Sequence, residues 1–317
     1  MKRTIGILVI SMLLVFLAGC GGGKKEDAAP PAAQLQTITL GLMPDVDSIP
    51  FIIAEEKGYF KEEGLTVTLK HFKSAMERDS ALQSGNLDGA VSDMLAEAFA
   101  KAGGFDTVIT SLTTGSYKLV VNKDMAAASL QDLKGKDVAI SKNTIIDYVT
   151  DRVITEGGLT AADINKVVIP QIPARLEMLQ NGKITAATLP EPLATVAVNS
   201  GAKVIKASEQ LGLNPGVLLF TTKAVQQKEQ EIQAMYRAYS KAVDYLAREP
   251  MENYIDLLIT KGGFPQAVKG VLTLPQYKKA AAPAQKDIDD VIAWMQARQL
   301  IQQKYQYSDL VDTRFVR

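Results

Sequence analysis

Residues 58–91 read GYFKEEGLTVTLKHFKSAMERDSALQSGNLDGAV, and their punctuation decides the fold. Gly58 and Gly64 bracket a short segment, residues 65–72 alternate as a strand, and residues 74–85 form a helix closed by Gly85. Ser74 and Glu77 have the spacing of a capping box at the start of that helix. Ala90 and Val91 open the next strand. Strands alternating with helices in this way imply βαβ units and a largely parallel sheet.

The alternation extends in both directions. A β-rich run at 37–42 ends at Pro44, and residues 51–60 have helical character. Downstream, 94–102 is helical and stopped by Gly103-Gly104, and 107–112 and 117–121 are strands. A second set follows: strand 137–141, helix 144–156, strand 166–169, helix 173–181, and strand 186–189 ending at Pro190-Glu191-Pro192. Helix 194–200 and strands 203–206 and 217–221 complete it. From 223 onward the pattern is helical, at 223–248, 251–261, 265–271 and 285–299. The units around 58–85 and 135–182 are alike, so the chain reads as two similar α/β lobes with a helical tail.

Composition removes several classes of function. The 317 residues carry 35 basic and 35 acidic side chains, without the basic excess of a nucleic-acid binder. One Cys and one His leave no material for a disulfide framework, a Cys-rich cluster or a multi-histidine metal site, so no metal or cofactor is expected. No Gly-x-Ser-x-Gly elbow or Walker-type phosphate loop occurs, and His71 is the only histidine a catalytic triad could use. Binding rather than catalysis is expected.

Lys2 and Arg3, an uncharged apolar run at 5–17, and Leu17-Ala18-Gly19-Cys20 have the layout of a secretory signal peptide. The last four residues resemble the bacterial lipobox, which makes residues 1–19 the signal and Cys20 the lipidated first residue. Residues 20–36 are small, polar and Pro-rich, a flexible tether. The expected location is the extracytoplasmic face of the cell membrane, through a lipid anchor.

The order Gly58-Tyr59-Phe60, Gly64-Leu65, Val67 is one part of a wider resemblance. Ala81-Leu82, Gly85 and Asp88-Gly89-Ala90 continue it, followed by Leu133-Lys134-Gly135-Lys136, 176–182, Ala186-Ala187 and Pro190-Glu191-Pro192. Together these resemble the substrate-binding proteins of ABC importers, in the nitrate, sulfonate, taurine and thiamine-precursor branch. The resemblance implies a two-lobed type II periplasmic-binding-protein fold with two hinge crossovers. Lobe I would be 37–118 plus 222–317 and lobe II 119–221, with crossovers near 117–123 and 217–223. It also implies a monomer that closes on a small molecule and delivers it to a permease and ATPase. A tethered ligand sensor would use the same fold.

Ligands of open α/β sheets lie beyond the carboxyl ends of the strands. That rule selects Asp45, Asp47 and Ser48, then Ser92, Asp93 and Met94, then Thr113 and Thr114. In the second lobe it selects Ser141, Asn143, Thr144, Pro190 and Glu191. Asn143 and Thr144 open a helix, whose free N–H groups favour ligand acceptors; Asn143 also suits a simple N-cap. Asp45 and Asp47 also suit a turn, and Ser48 and Ser92 suit caps. Glu191 is held between two prolines. Four acids and only Lys142 as a base point to a neutral or cationic ligand such as an amine or aminopyrimidine, with an anion as the alternative.

Overall fold

The computed structural model describes residues 35–125 and 129–316. Residues 1–19, expected from sequence to be a signal peptide, lie outside the described residues, as do Cys20 and the expected tether up to residue 34.

Two five-stranded sheets organise the chain. The strands are β1 (Ile38–Leu42), β2 (Val67–His71), β3 (Gly89–Asp93), β4 (Thr107–Leu112), β5 (Tyr117–Val121), β6 (Asp137–Ile140), β7 (Asn165–Val168), β8 (Ala186–Pro190), β9 (Lys203–Ala207) and β10 (Gly216–Thr221). The first sheet has the order β2-β1-β3-β10-β4 and the second β7-β6-β8-β5-β9. In the first, β1 pairs parallel with β2 and β3, while β10 runs antiparallel between β3 and β4. The second repeats this: β6 pairs parallel with β7 and β8, while β5 runs antiparallel between β8 and β9.

The second sheet is thus the continuous run β5–β9, and the first takes back one strand, β10, after the chain has crossed twice. The sequence reading puts the crossings at 117–123 and 217–223 and leaves 217–221 in the second lobe. The structure shows β5 and β10 as full strands, paired on both sides, with the sheet-to-sheet connections at 113–116 and 208–215. The reason is burial. Val217, Leu218, Leu219 and Phe220 are covered on both faces, as an interior strand requires. Gly89 fits this packing because a side chain there would stand 2.6 Å from the Leu219 carbonyl oxygen on β10.

Helices cover the sheets. Ser74 caps the helix Ala75–Gln83 by accepting from the Glu77 N–H, but the Glu77 carboxylate reaches the Lys73 N–H rather than that of Ser74. The tail is more broken than its pattern predicts. Residues 223–248 divide into Thr222–Gln227 and Glu229–Leu246, and 265–271 holds only a short 3-10 turn, Gln266–Val268. No helix among the described residues is long and apolar enough to cross a membrane.

Candidate functional site

A cleft with about 460 Å³ of empty space, its mouth included, is lined from both sheets. The first side supplies Met43, Asp45 and Asp47 after β1, Ser92 and Asp93 at the end of β3, and Arg78 from the helix Ala75–Gln83. The second supplies Ser141 and Thr144 after β6, Pro170 and Arg175 after β7, Pro190 at the end of β8, and Tyr117 at the start of β5. Val91, Ile145, Ile146 and Ile172 add apolar wall. Across its edge the Ile172 N–H donates to the Lys73 carbonyl (3.2 Å) and Gln171 to the Glu77 carboxylate (3.2 Å).

The carboxyls are buried and crowded. Asp45 accepts from Ser48 Oγ (3.1 Å), while Asp47 accepts from Thr113 Oγ1 and from the Tyr117 hydroxyl (3.1 Å). Burial, then the charge of Asp47, pushes the Asp45 carboxyl up to about 8, and burial pushes Asp47 up to about 6. Two such neighbouring carboxyls titrate together, and both resist ionisation. Asp93 is also raised by burial, against the opposing pull of Arg78, and it caps the helix Met94–Ala102 through the Ala96 N–H (2.9 Å).

Two arginines balance these acids. Arg78 is 4% exposed, pairs with Asp79 (2.8 Å) and Asp93 (3.8 Å), and donates to the Val91 carbonyl (3.2 Å). Burial lowers its guanidinium, but Asp79 and Asp93 outweigh that and raise it. Arg175 is fully buried and donates only to carbonyl oxygens, of Thr188 (3.1 Å), Ile169 (2.9 Å) and Pro170 (3.4 Å). Among the described residues no carboxylate pairs with it, and burial holds it down at about 9. The Nη2 of Arg175 and the Oγ of Ser92 are buried without a hydrogen-bond partner, whereas the Nη2 of Arg78 is taken up by Asp79 and Asp93. Such donors cost free energy until an acceptor reaches them.

Of the residues selected from sequence, Asp45, Asp47, Ser92, Asp93, Ser141, Thr144 and Pro190 meet in this cleft. The others do not line it. Ser48 is turned inward, donating to Asp45 and accepting from the Met43 N–H. Met94 is buried in the core. Thr113 stands behind Asp47, and Thr113 and Thr114 line a different groove. Asn143 adopts a left-handed conformation (φ 60°), so Thr144 is the N-cap, accepting from the Ile146 N–H (3.2 Å).

Glu191 needs the largest correction. Its carboxylate folds back onto the Thr195 N–H (2.9 Å) and hydroxyl (3.0 Å) and pairs with Lys118. It thus holds the start of the helix Leu193–Asn199 rather than facing the cleft; only its backbone reaches across, its carbonyl accepting from the Val46 N–H (3.0 Å). Lys142 is exposed. The loop rule missed Arg78 and Arg175 because both sit on helix faces. The charge balance of four acids to one base is accordingly overturned.

The comparisons with known proteins agree with this architecture. The alkanesulfonate-binding protein SsuA from Xanthomonas axonopodis pv. citri, solved bound to MOPS, superposes with a TM-score of 0.77 at 20% identity. That match covers 89% of this chain and all of the other. The putative aliphatic sulfonates-binding protein of Escherichia coli is 25% identical over 201 residues, 62% of either chain. A 4-amino-5-hydroxymethyl-2-methylpyrimidine phosphate synthase of Saccharomyces cerevisiae, THI13, is 24% identical over 78% of this chain and 76% of its own length. The fold is therefore that of the periplasmic binding proteins. The profile of the NMT1-like family matches residues 31–257, well over half the sequence, and the chain belongs to that family.

Proposed function

We propose that this protein is the substrate-binding component of an ABC importer, anchored through Cys20 at the extracytoplasmic face of the membrane. In this reading it works as a monomer. Two lobes, one on each sheet, close over a small organic anion and present it to a permease and its ATPase. Sulfonate-binding relatives, and a bicarbonate-binding protein of Synechococcus elongatus that is 29% identical over 46% of this chain, support the transport part.

One observation carries the ligand class. Arg175 keeps a buried Nη2 without a partner and has no counter-charge among the described residues, and Arg78, ion-paired with Asp79 and Asp93, faces the same cleft from the other side. A planar guanidinium in that state suits a sulfonate, carboxylate or similar acceptor group. The apolar wall suits a short organic body. With burial holding Asp45 and Asp47 above the ordinary carboxylate range and Glu191 turned away, the cleft is less acidic than its sequence suggests, which reverses the expectation of an amine.

The test is thermal unfolding of the purified protein with ethanesulfonate, taurine, nitrate, bicarbonate, an aminopyrimidine and a simple amine. At a concentration of 100 Kd a true ligand adds about 2.7 kcal/mol of stability, which raises Tm by roughly 5 °C at this size. An organic anion should give that shift. Stabilisation by the amine or aminopyrimidine alone would refute the ligand class.

A further inference from the structure

The helix Ile145–Glu156 starts at the cleft with its N-cap Thr144. Asp151 lies two turns further on, about 10 Å along the axis. Its carboxylate is nearly buried and is held from two directions. From the second sheet, Lys166 on the edge strand β7 places its Nζ 2.6 Å from Oδ1. From the other side, Trp294 Nε1 donates to Oδ2 (3.0 Å) and the Arg298 guanidinium pairs with the same oxygen.

Trp294 and Arg298 belong to the helix Gln285–Ala297 and its C-cap. That helix is fastened to the first sheet at both ends. Before it, the Leu112 N–H donates to the Ala281 carbonyl (2.7 Å), and the Tyr307 hydroxyl donates to that of Pro283 (2.8 Å). After it, the Asp312 N–H donates to the Ile109 carbonyl on β4 (2.8 Å). The Asp151 contacts thus join the two sheets' helices. The ring of Tyr148 meets Trp294 edge-on at 5.6 Å, and Arg298 stacks over Trp294 at 4.7 Å.

Lys166 has a second partner. Its Nζ is 2.5 Å from Asp147 Oδ1, and Asp147 Oδ2 accepts the Asn143 N–H (2.9 Å). Asn143 sits between Ser141 and Thr144, both of which line the cleft. One ammonium is therefore shared by a carboxylate that fixes the cleft loop and a carboxylate that grips the C-terminal helix.

We propose that Asp151 is a positioning residue that couples docking of the 285–298 segment to the order of the cleft loop, by competing with Asp147 for Lys166. While Trp294 and Arg298 satisfy Asp151, Lys166 is available to Asp147, and Asp147 holds the loop through Asn143. When the two sides part, Asp151 loses those donors and draws Lys166 away, which releases Asp147 and the loop. Ordering of Ser141 and Thr144 for a ligand is then linked to closure at a contact outside the cleft.

The competition makes two substitutions that break the same contact behave oppositely. Arg298→Met leaves the Asp151 carboxyl in place with Lys166 as its remaining cation. Asp151→Asn removes the competitor and leaves Lys166 to Asp147. Hydrogen exchange of the full chain without ligand reads the loop through the amides of 141–146, with the amides of β1 as the control. Arg298→Met should speed loop exchange about tenfold or more and leave β1 unchanged, while Asp151→Asn and the double variant stay at the wild-type rate. Unchanged exchange in Arg298→Met, or equal acceleration in Asp151→Asn, would overturn the proposal, since a purely structural ion pair affects both alike. If Arg298→Met fails to fold, Trp294→Phe removes one donor and no charge and is read against Asp151→Asn in the same way. The experiment uses no ligand, so its failure leaves the reading of the cleft untouched.

Discussion

Arg175 is the residue on which the ligand class turns, and removing it separates two roles an arginine can have. Burial lowers its guanidinium from 12.5 to about 9, a penalty on the charged form of roughly 5 kcal/mol. Its bonds to the carbonyls of Thr188, Ile169 and Pro170 offset that, at about 1.5–3 kcal/mol for a bond with a charged partner. Arg175→Met removes the penalty and the compensation together, and the flexible thioether refills part of the space. Stability of the unliganded protein should therefore change by less than about 2 kcal/mol. Binding is different, because an anion seated on Arg175 loses its only uncompensated partner. The expected loss is about 3–5 kcal/mol, a rise in Kd of roughly a hundredfold or more. Urea unfolding measures the first quantity. Titration calorimetry, with whichever anion stabilises the wild type, measures the second. The reasoning fails if stability falls by more than about 4 kcal/mol while the folded fraction binds with unchanged affinity. Arg175 would then be a structural tie for β7 and β8.

Other substitutions test the remaining parts of the site. The native Asp45 carboxyl titrates above its ordinary 3.8, so its contribution to stability is full below about pH 4 and is lost as pH rises through about 8. Asp45→Asn keeps the acceptor for Ser48 and should flatten most of that decline between pH 5 and 8, which runs at up to about 1.4 kcal/mol per pH unit, read from urea midpoints. Glu97 is fully buried with both oxygens unpartnered, and burial pushes it up to about 7. Glu97→Gln should therefore raise stability at pH 8 by about 1–2 kcal/mol and change little at pH 5; calorimetric unfolding at the two pH values checks this. Glu191→Gln should cost about 1–2 kcal/mol of stability through the weakened Thr195 and Lys118 contacts, and leave ligand affinity unchanged by calorimetry.

The α/β alternation was open to reading because glycines and β-rich runs mark each element locally. Which sheet β5 and β10 join was not. Both are short apolar strands, and nothing within 117–121 or 216–221 distinguishes a hinge from a strand paired on both sides. The first half of the cleft was legible for a related reason: Asp45, Asp47, Ser92 and Asp93 lie where strands end, and the strand-end rule selects those positions. Arg78 and Arg175 are one turn into helices that follow strands, where an arginine ordinarily faces solvent. Their burial depends on how the helices pack, which no local pattern records. Glu191 fails in the opposite way. Two prolines restrict its backbone, but a Thr four residues on offers its side chain an N–H and a hydroxyl, and the carboxylate takes both. The spacing Glu191 to Thr195 was the available signal.

The most direct test of the central claim is a crystal structure of the protein with the stabilising anion bound. The anionic group should lie within hydrogen-bond distance of Arg175 Nη2, between the two sheets, with Arg78 or Ser92 as a second donor. A ligand seated elsewhere, or one in the cleft that leaves Arg175 Nη2 without an acceptor, would contradict the account.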